Sequence, residues 1–284
     1  MWRWTITDKA QHEKLWQDRL QEMPGTVIQA GFQAQSISIE CYTEHLQEAI
    51  VLQACYGGSI EDIPDKDWVA ATAPENVPPL KIRNKIVICA SESSEVLQQL
   101  RREYPNRIIL CFPAERAFGT GNHATTSTCL RMLCDHVGSE LKNKEWTLAD
   151  IGCGTGVLAL AGLKLGAKHA LSFDFDPNAV EVAKRNIERN GGAENLDLFQ
   201  ADVFEWSPRA GEQADVVLAN LFSTVLQKAF PRLISAMKQD AVLIISGILN
   251  TQAEETLAAA ERAGLTVIKK VTRGKWVTAK LRLA

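Results

Sequence analysis

"WTLADIGCGTGVLALAGLKLGA", residues 146–167, decides the fold. A segment of strand character (146–151) runs into glycines at 152, 154 and 156, and an apolar helical segment (156–167) follows at once. Glycine lets backbone approach a ligand without a Cβ in the way. The helix behind offers N–H groups that have no partner inside the helix. Such a strand–loop–helix turn belongs to an α/β sheet that collects ligands at the carboxyl ends of its strands.

The alternation continues toward the C-terminus. Residues 169–175, 197–202, 214–220 and 241–249 read as strands, and 177–192, 223–238 and 251–264 as amphipathic helices. Residues 265–274 and 275–283 read as a closing hairpin. Strands of continuous Val, Ile and Leu indicate a buried, mostly parallel sheet. Upstream, 84–90 and 106–112 are two short strands. Residues 1–60 read as a separate small α+β domain. It has a strand at 2–7, a helix over 8–23 with Leu15, Trp16 and Leu20 on one face, a strand over 33–42, and a helix over 44–58 ended by glycines. The proline-containing stretch 61–80 is the expected linker, and 81–284 the large domain.

The 284 residues suffice for these two domains. A charge of −3 leaves no electrostatic footprint for nucleic acid. The N-terminal segment has neither signal-peptide nor transit-peptide character, and the longest apolar run, 241–249, is far short of a membrane span. Seven cysteines without a CxxC pair read as reduced thiols in a cytoplasmic protein, with no metal site expected.

Three carboxylates end successive strands: Asp150, Asp174 and Asp202. Asp174 follows Gly156 by 18 residues, the spacing at which an acid meets a ribose diol. Dinucleotide and S-adenosylmethionine enzymes share that spacing. A carboxylate at 150 would repel a diphosphate but favour the ammonium and sulfonium of S-adenosylmethionine. Asp202 is placed to accept from an adenine amino group. Asp176, before a proline, reads as a helix N-cap. Asn220, after the strand 214–220, could accept from an amine's N–H groups and aim its lone pair at a methyl group. The residues that follow it, Leu221, Phe222 and Ser223, lack the prolines of base-directed amino-methyltransferases, which disfavours flipped-base chemistry.

"AFGTGNHATT" (117–126), "DIGCGTGVLALAGLKLGA", "DFDPNAV", "DVVLANL", "LIISGIL" and "KWVTAKL", in this order, closely resemble the PrmA family, which modifies large-subunit ribosomal protein eleven. The resemblance implies a Rossmann-like, seven-stranded class I methyltransferase domain and an N-terminal domain that recognises the protein substrate. It implies S-adenosyl-L-methionine as methyl donor, with lysine side chains and an N-terminal amine as acceptors. Thr126, Gly152, Asp174 and Asn220 are carried over as cofactor contacts, and Asn220 as the catalytic residue. Gly154, Gly156, Asp150 and Asp202 join them from the spacing above. The 117–126 segment is expected to fold across the site as a lid, with Phe118 as an apolar wall and Gly119 and Gly121 in close approach. His123 reads as a helix-opening residue. The sequence departs from the family at "ANLFS", where Ala-Asn-Ile-Leu/Tyr-Ala is usual, and in the N-terminal domain, which matches in size and alternation. Other readings are a methyltransferase of another protein or a small molecule, a non-catalytic S-adenosylmethionine-binding module, and a nicotinamide oxidoreductase. The last lacks an acid/base pair beside the loop.

Overall fold

The computed structural model describes residues 2–20, 26–30, 35–43, 46–62, 78–113 and 123–284. Two compact units divide the chain, Met1–Glu75 and Asn76–Ala284.

In the small unit, β1 (Trp2–Lys9), β2 (Thr26–Ala30), β3 (Ser36–Thr43) and β4 (Ser59–Asp62) form an antiparallel sheet in the order β2-β3-β1-β4. In β3 the alternate residues Ile37, Ile39, Cys41 and Thr43 are buried, as a half-buried strand requires. Ile37, Ile39 and Cys41 pack with Trp4, Trp16 and Leu20, and with Ala49 and Leu52 of α2 (Leu46–Tyr56). The helix expected over 8–23 is shorter: a 3-10 turn (Ala10–His12) leads into α1 (Glu13–Arg19). Trp16 and Leu20 point inward, one turn apart, while Leu15 is 45% exposed because it lies about 100° round the helix from Trp16. Strands β2 and β4 had no clear alternation to announce them. The expected linker begins with the end of β4, and residues 63–77 lie outside the described residues.

The large unit opens with a three-stranded sheet, β5 (Leu80–Ile82), β6 (Ile86–Cys89) and β7 (Ile108–Cys111). Helix α3 (Ser94–Glu103) crosses over between the parallel strands β6 and β7. Helix α4 (Ala124–Ser139) precedes the main sheet. That sheet contains β8 (Thr147–Ile151), β9 (His169–Asp174), β10 (Leu196–Gln200), β11 (Ala214–Asn220), β12 (Met237–Leu249), β13 (Leu265–Arg273) and β14 (Trp276–Leu283). The order is β10-β9-β8-β11-β12-β14-β13, parallel from β10 to β12, with β14 antiparallel to both β12 and β13. Helices α5 (Val157–Lys164), α6 (Pro177–Arg189), α7 (Ser223–Ser235) and α8 (Ala253–Arg262) connect the strands.

Both faces of the sheet are buried. Along β11, Val216 and Leu218 join the core that includes α4 and α5, while Val217 and Ala219 join the core of α7 and α8. This two-sided burial is why the strands read as unbroken apolar runs. Strand order reverses between β8 and β11, which opens a crevice at their carboxyl ends. Among the described residues no helix is long and apolar enough to cross a membrane.

Candidate active site

A cavity of about 570 Å³ lies at this crevice, and Gly152, Gly154, Asp174, Asp202, Asn220 and Thr126 all line it. The loop after β8 turns through left-handed conformations at Gly152 (φ 76°), Gly154 (φ 54°) and Gly156 (φ 77°). The Gly152 and Cys153 N–H groups donate to the Phe173 carbonyl at 2.9 and 3.0 Å, which lays the loop on the end of β9. Gly154 N–H donates to Asp174 Oδ2 at 2.9 Å, and Asp176 N–H donates to Asp174 Oδ1 at 3.1 Å. Asp174 is thus fixed by two backbone donors, and each of its oxygens keeps acceptor capacity for a hydroxyl pair. Asp176 caps α6, accepting from Asn178 N–H at 2.9 Å.

Two of the expected cofactor residues stand behind the wall. Gly156 is the N-cap of α5, where a Cβ would come within 3.1 Å of Ala183 Cβ, so its role is helix–helix approach. Asp150 is fully buried and does not line the cavity. Its Oδ2 accepts from Ala159 N–H in the first turn of α5 at 3.0 Å, satisfying a helix-end donor, while Oδ1 has no partner among the described residues.

Burial, with a smaller push from Asp174 and against the Ala159 hydrogen bond, raises the Asp150 carboxyl from 3.8 to about 7. The folded state therefore holds a proton that the unfolded chain releases near 3.8, so this contribution to stability is full in acid and is lost as pH rises through 7. Between pH 5 and pH 8 the wild type should lose about 3 kcal/mol that Asp150→Asn does not lose. Urea unfolding of both proteins at the two pH values measures this, and parallel pH dependence would refute the assignment.

The acceptor side is built by β11 and α4. Asn220 Nδ2 donates to Thr126 Oγ1 at 3.3 Å, joining two residues 94 positions apart. Thr126, Leu130 and Leu133 share a buried face of α4, which fixes the hydroxyl. The Asn220 Oδ1 atom is buried without a partner among the described residues. Such an atom is uncommon in native proteins and calls for a ligand or a strained role. His123 caps α4: its Nδ1 accepts from Thr125 N–H at 3.4 Å and lies 2.8 Å from Thr125 Oγ1. Its ring meets Trp276 edge to face at 5.0 Å. Burial first, and Lys275 second, lower its pKa and so favour the neutral ring. At β10, Asp202 Oδ1 accepts from Phe204 N–H at 2.8 Å. Phe175, Phe204 and Phe222 are exposed aromatic rings on the same wall.

Three contributors were not singled out from sequence. Trp276 lines the cavity from β14. Leu221 sits between two glycines, since a Cβ on Gly152 would overlap its Cδ2 and a Cβ on Gly247 would overlap its carbonyl oxygen. Gly247 (φ 85°) lies where the β12–β14 register shifts, between Ile245 and Ile248. Its signal was a lone glycine inside a strand pattern, which often marks a bulge or a close backbone approach. Phe118, Gly119 and Gly121, with the proposed lid, lie outside the described residues. Among the described residues no group of three or more His, Cys, Asp or Glu could hold a metal ion.

S-Adenosylmethionine fits these acceptors. The volume lies within the range of small-molecule sites. Asp174 offers oxygens for a ribose diol, Asp202 and the apolar wall suit an adenine, and the orphaned Asn220 oxygen suits an amine. Asp174→Ala should weaken S-adenosylmethionine binding about tenfold to a hundredfold, since hydrogen bonds to a charged group are worth about 1.5–3 kcal/mol. Calorimetry reads the change, and an unaltered affinity would reject the ribose role.

A family model described as ribosomal protein L11 methyltransferase (PrmA) matches residues 3–283. A ribosomal protein L11 methyltransferase of Mannheimia succiniciproducens is 37% identical over 227 residues, 78% of this chain and 71% of that protein. One of Haemophilus influenzae is 37% identical over 211 residues, 74% of this chain but 65% of the relative, just under two thirds of its length. The crystal structure of a ribosomal protein L11 methylase from Lactobacillus delbrueckii subsp. bulgaricus shares the fold, with a TM-score of 0.59 and 24% identity, and covers 72% of this chain and 98% of that one. A match running almost from end to end, with relatives above a third identical, shows that the chain belongs to the ribosomal protein L11 methyltransferase family.

Proposed function

We propose that this chain methylates amino groups of a large-subunit ribosomal protein, L11, at lysine side chains, an N-terminal amine or both. The observation that carries the amine-directed reading is the cavity-lining Asn220, whose Oδ1 has no partner among the described residues while its Nδ2 is tied to Thr126. The tie fixes the amide plane, so Oδ1 is free to accept from an incoming N–H.

S-Adenosyl-L-methionine is the cofactor, and when bound it supplies an electrophilic methyl group on a sulfonium for a single in-line displacement. Asp174 and the 152–154 backbone hold the ribose end, Asp202 the adenine, and Thr126 orients Asn220. A lysine amine titrates near about 10.4 in water and must arrive neutral. A poorly hydrated mouth beside a cation lowers that value, and solvent takes the proton. His123 stays the helix cap, because its Nδ1 is engaged by Thr125. The main contribution of the protein is positioning.

The substrate is recognised by the small unit, and the reaction belongs in the cytoplasm. The chain's charge of −3 supports a protein partner and no direct contact with nucleic acid. The test is transfer of labelled methyl from S-adenosylmethionine to purified, unmodified ribosomal protein L11, with mass mapping of the modified residues. Label at lysine or the N-terminus is expected. Label appearing only in a small molecule or another protein would overturn the substrate assignment.

A further inference from the structure

A second cavity of the large unit, about 350 Å³, lies against a different face of α4. Cations converge on it from three elements: Arg83 from the β5–β6 turn, Arg131 from α4, and Lys269 and Arg273 from the edge strand β13. Asp135 is the one carboxylate among the described residues of its lining, and it is already engaged. Arg83 donates to its two oxygens at 2.8 and 2.7 Å, and Lys269 stands 3.8 Å away. Among the described residues the other two guanidinium groups meet neutral oxygens. Arg131 donates to the Ser127 and Lys81 carbonyls at 2.9 and 3.4 Å, and Arg273 to Ser127 Oγ at 2.7 Å.

Among the described residues, four cations against one carboxylate leave this cavity at +3, in a chain whose net charge is −3. The charge is therefore gathered locally and is not a by-product of a basic surface. Burial lowers the pKa of Arg131, and the neighbouring Arg273 and Arg83 lower it further, so the cations crowd one another. Each guanidinium carries five donors in a planar fork, and among the described residues Arg131 uses two of its donors and Arg273 one. Met132 and Val271 add an apolar surface beside the charges.

We propose that this cavity binds a phosphorylated small molecule, its phosphate held by Arg131 and Arg273 and its organic part against Met132 and Val271. A phosphate accepts from two guanidinium forks at once, which a single carboxylate does less well. The volume is that of a compact ligand and not of a groove that tracks a polymer.

The test is calorimetry on the full chain with pyrophosphate and ribose 5-phosphate, after the cofactor cavity has been saturated with S-adenosylhomocysteine. Both are expected to bind, with ribose 5-phosphate competing with pyrophosphate. Arg273→Gln, a change at an exposed side chain, should weaken binding about tenfold, and adding Arg131→Gln about tenfold again. Cofactor affinity in each variant serves as the check on folding. No heat from either phosphate up to about 10 mM would overturn the proposal, as would equal affinity in folded variants. Binding of a single-stranded RNA oligonucleotide in place of the small phosphates would overturn it in favour of a nucleic-acid surface.

Discussion

Asn220→Ala lowers methyl transfer about a hundredfold while changing S-adenosylmethionine affinity by about twofold or less, as removal of one preorganised polar group from a reacting centre does. The side chain is split between two tasks. Its Nδ2 is spent on Thr126, and its Oδ1 has no partner among the described residues. Alanine removes this side-chain acceptor from the path of an incoming amine and leaves the loop at 152–154 intact. The loss therefore falls on turnover, measured in a single-turnover assay with cofactor in excess. Asn220→Asp sharpens the test. A carboxylate retains the acceptor but favours the ammonium form, so the rising limb of the pH–rate profile moves to higher pH. Full activity in Asn220→Ala, or an unmoved profile in Asn220→Asp, refutes the role.

Gly247→Ala lowers stability by about 3 kcal/mol, well beyond the about 1 kcal/mol expected for Gly152→Ala. Both glycines have positive φ, so both substitutions carry the left-handed penalty. They differ in what the new methyl group meets. At 152 it overlaps Leu221 Cδ2, the end of a side chain that can rotate. At 247 it overlaps the Leu221 carbonyl oxygen and lies 2.8 Å from the carbonyl carbon and 3.2 Å from the nitrogen. That stretch is itself held by the Leu221 N–H bond to Ser246 O at 3.1 Å, so it cannot yield without breaking the β11–β12 junction. The measurement is the denaturant midpoint at unchanged slope. Equal costs at the two positions would refute the argument.

The main sheet was legible because its signals are redundant. Strands such as 214–220 are apolar throughout, and helices such as α6 carry a cap, a proline at the first position and an amphipathic face. Helix α3 was passed over although Ser93 caps it, accepting from Val96 N–H, and Leu97 and Leu100 share a face. Ten residues give such a helix little periodicity to read. At the site, strand-end residues were legible because side chains at 174, 202 and 220 fall at the edge of the sheet by construction. Asp150 was read as facing the ligand, but a strand-end carboxylate has two directions open to it. Here α5 supplies a donor on the buried side. Trp276 and Leu221 were not legible as site residues, because their roles depend on which strand lies beside which. That is a property of the order β11-β12-β14, not of local spacing.

Leu221 touches the β8 loop through Gly152 and the β12 bulge through Gly247. Positions 152 and 221 are therefore one epistatic pair: the effect of a change at either depends on the residue at the other. A shorter side chain at 221 makes room for alanine at 152, yet gives no relief at 247, where the obstacle is main chain. Grafting another family member's acceptor strand into this chain thus means moving the residue after Asn220 together with the first glycine of the cofactor loop.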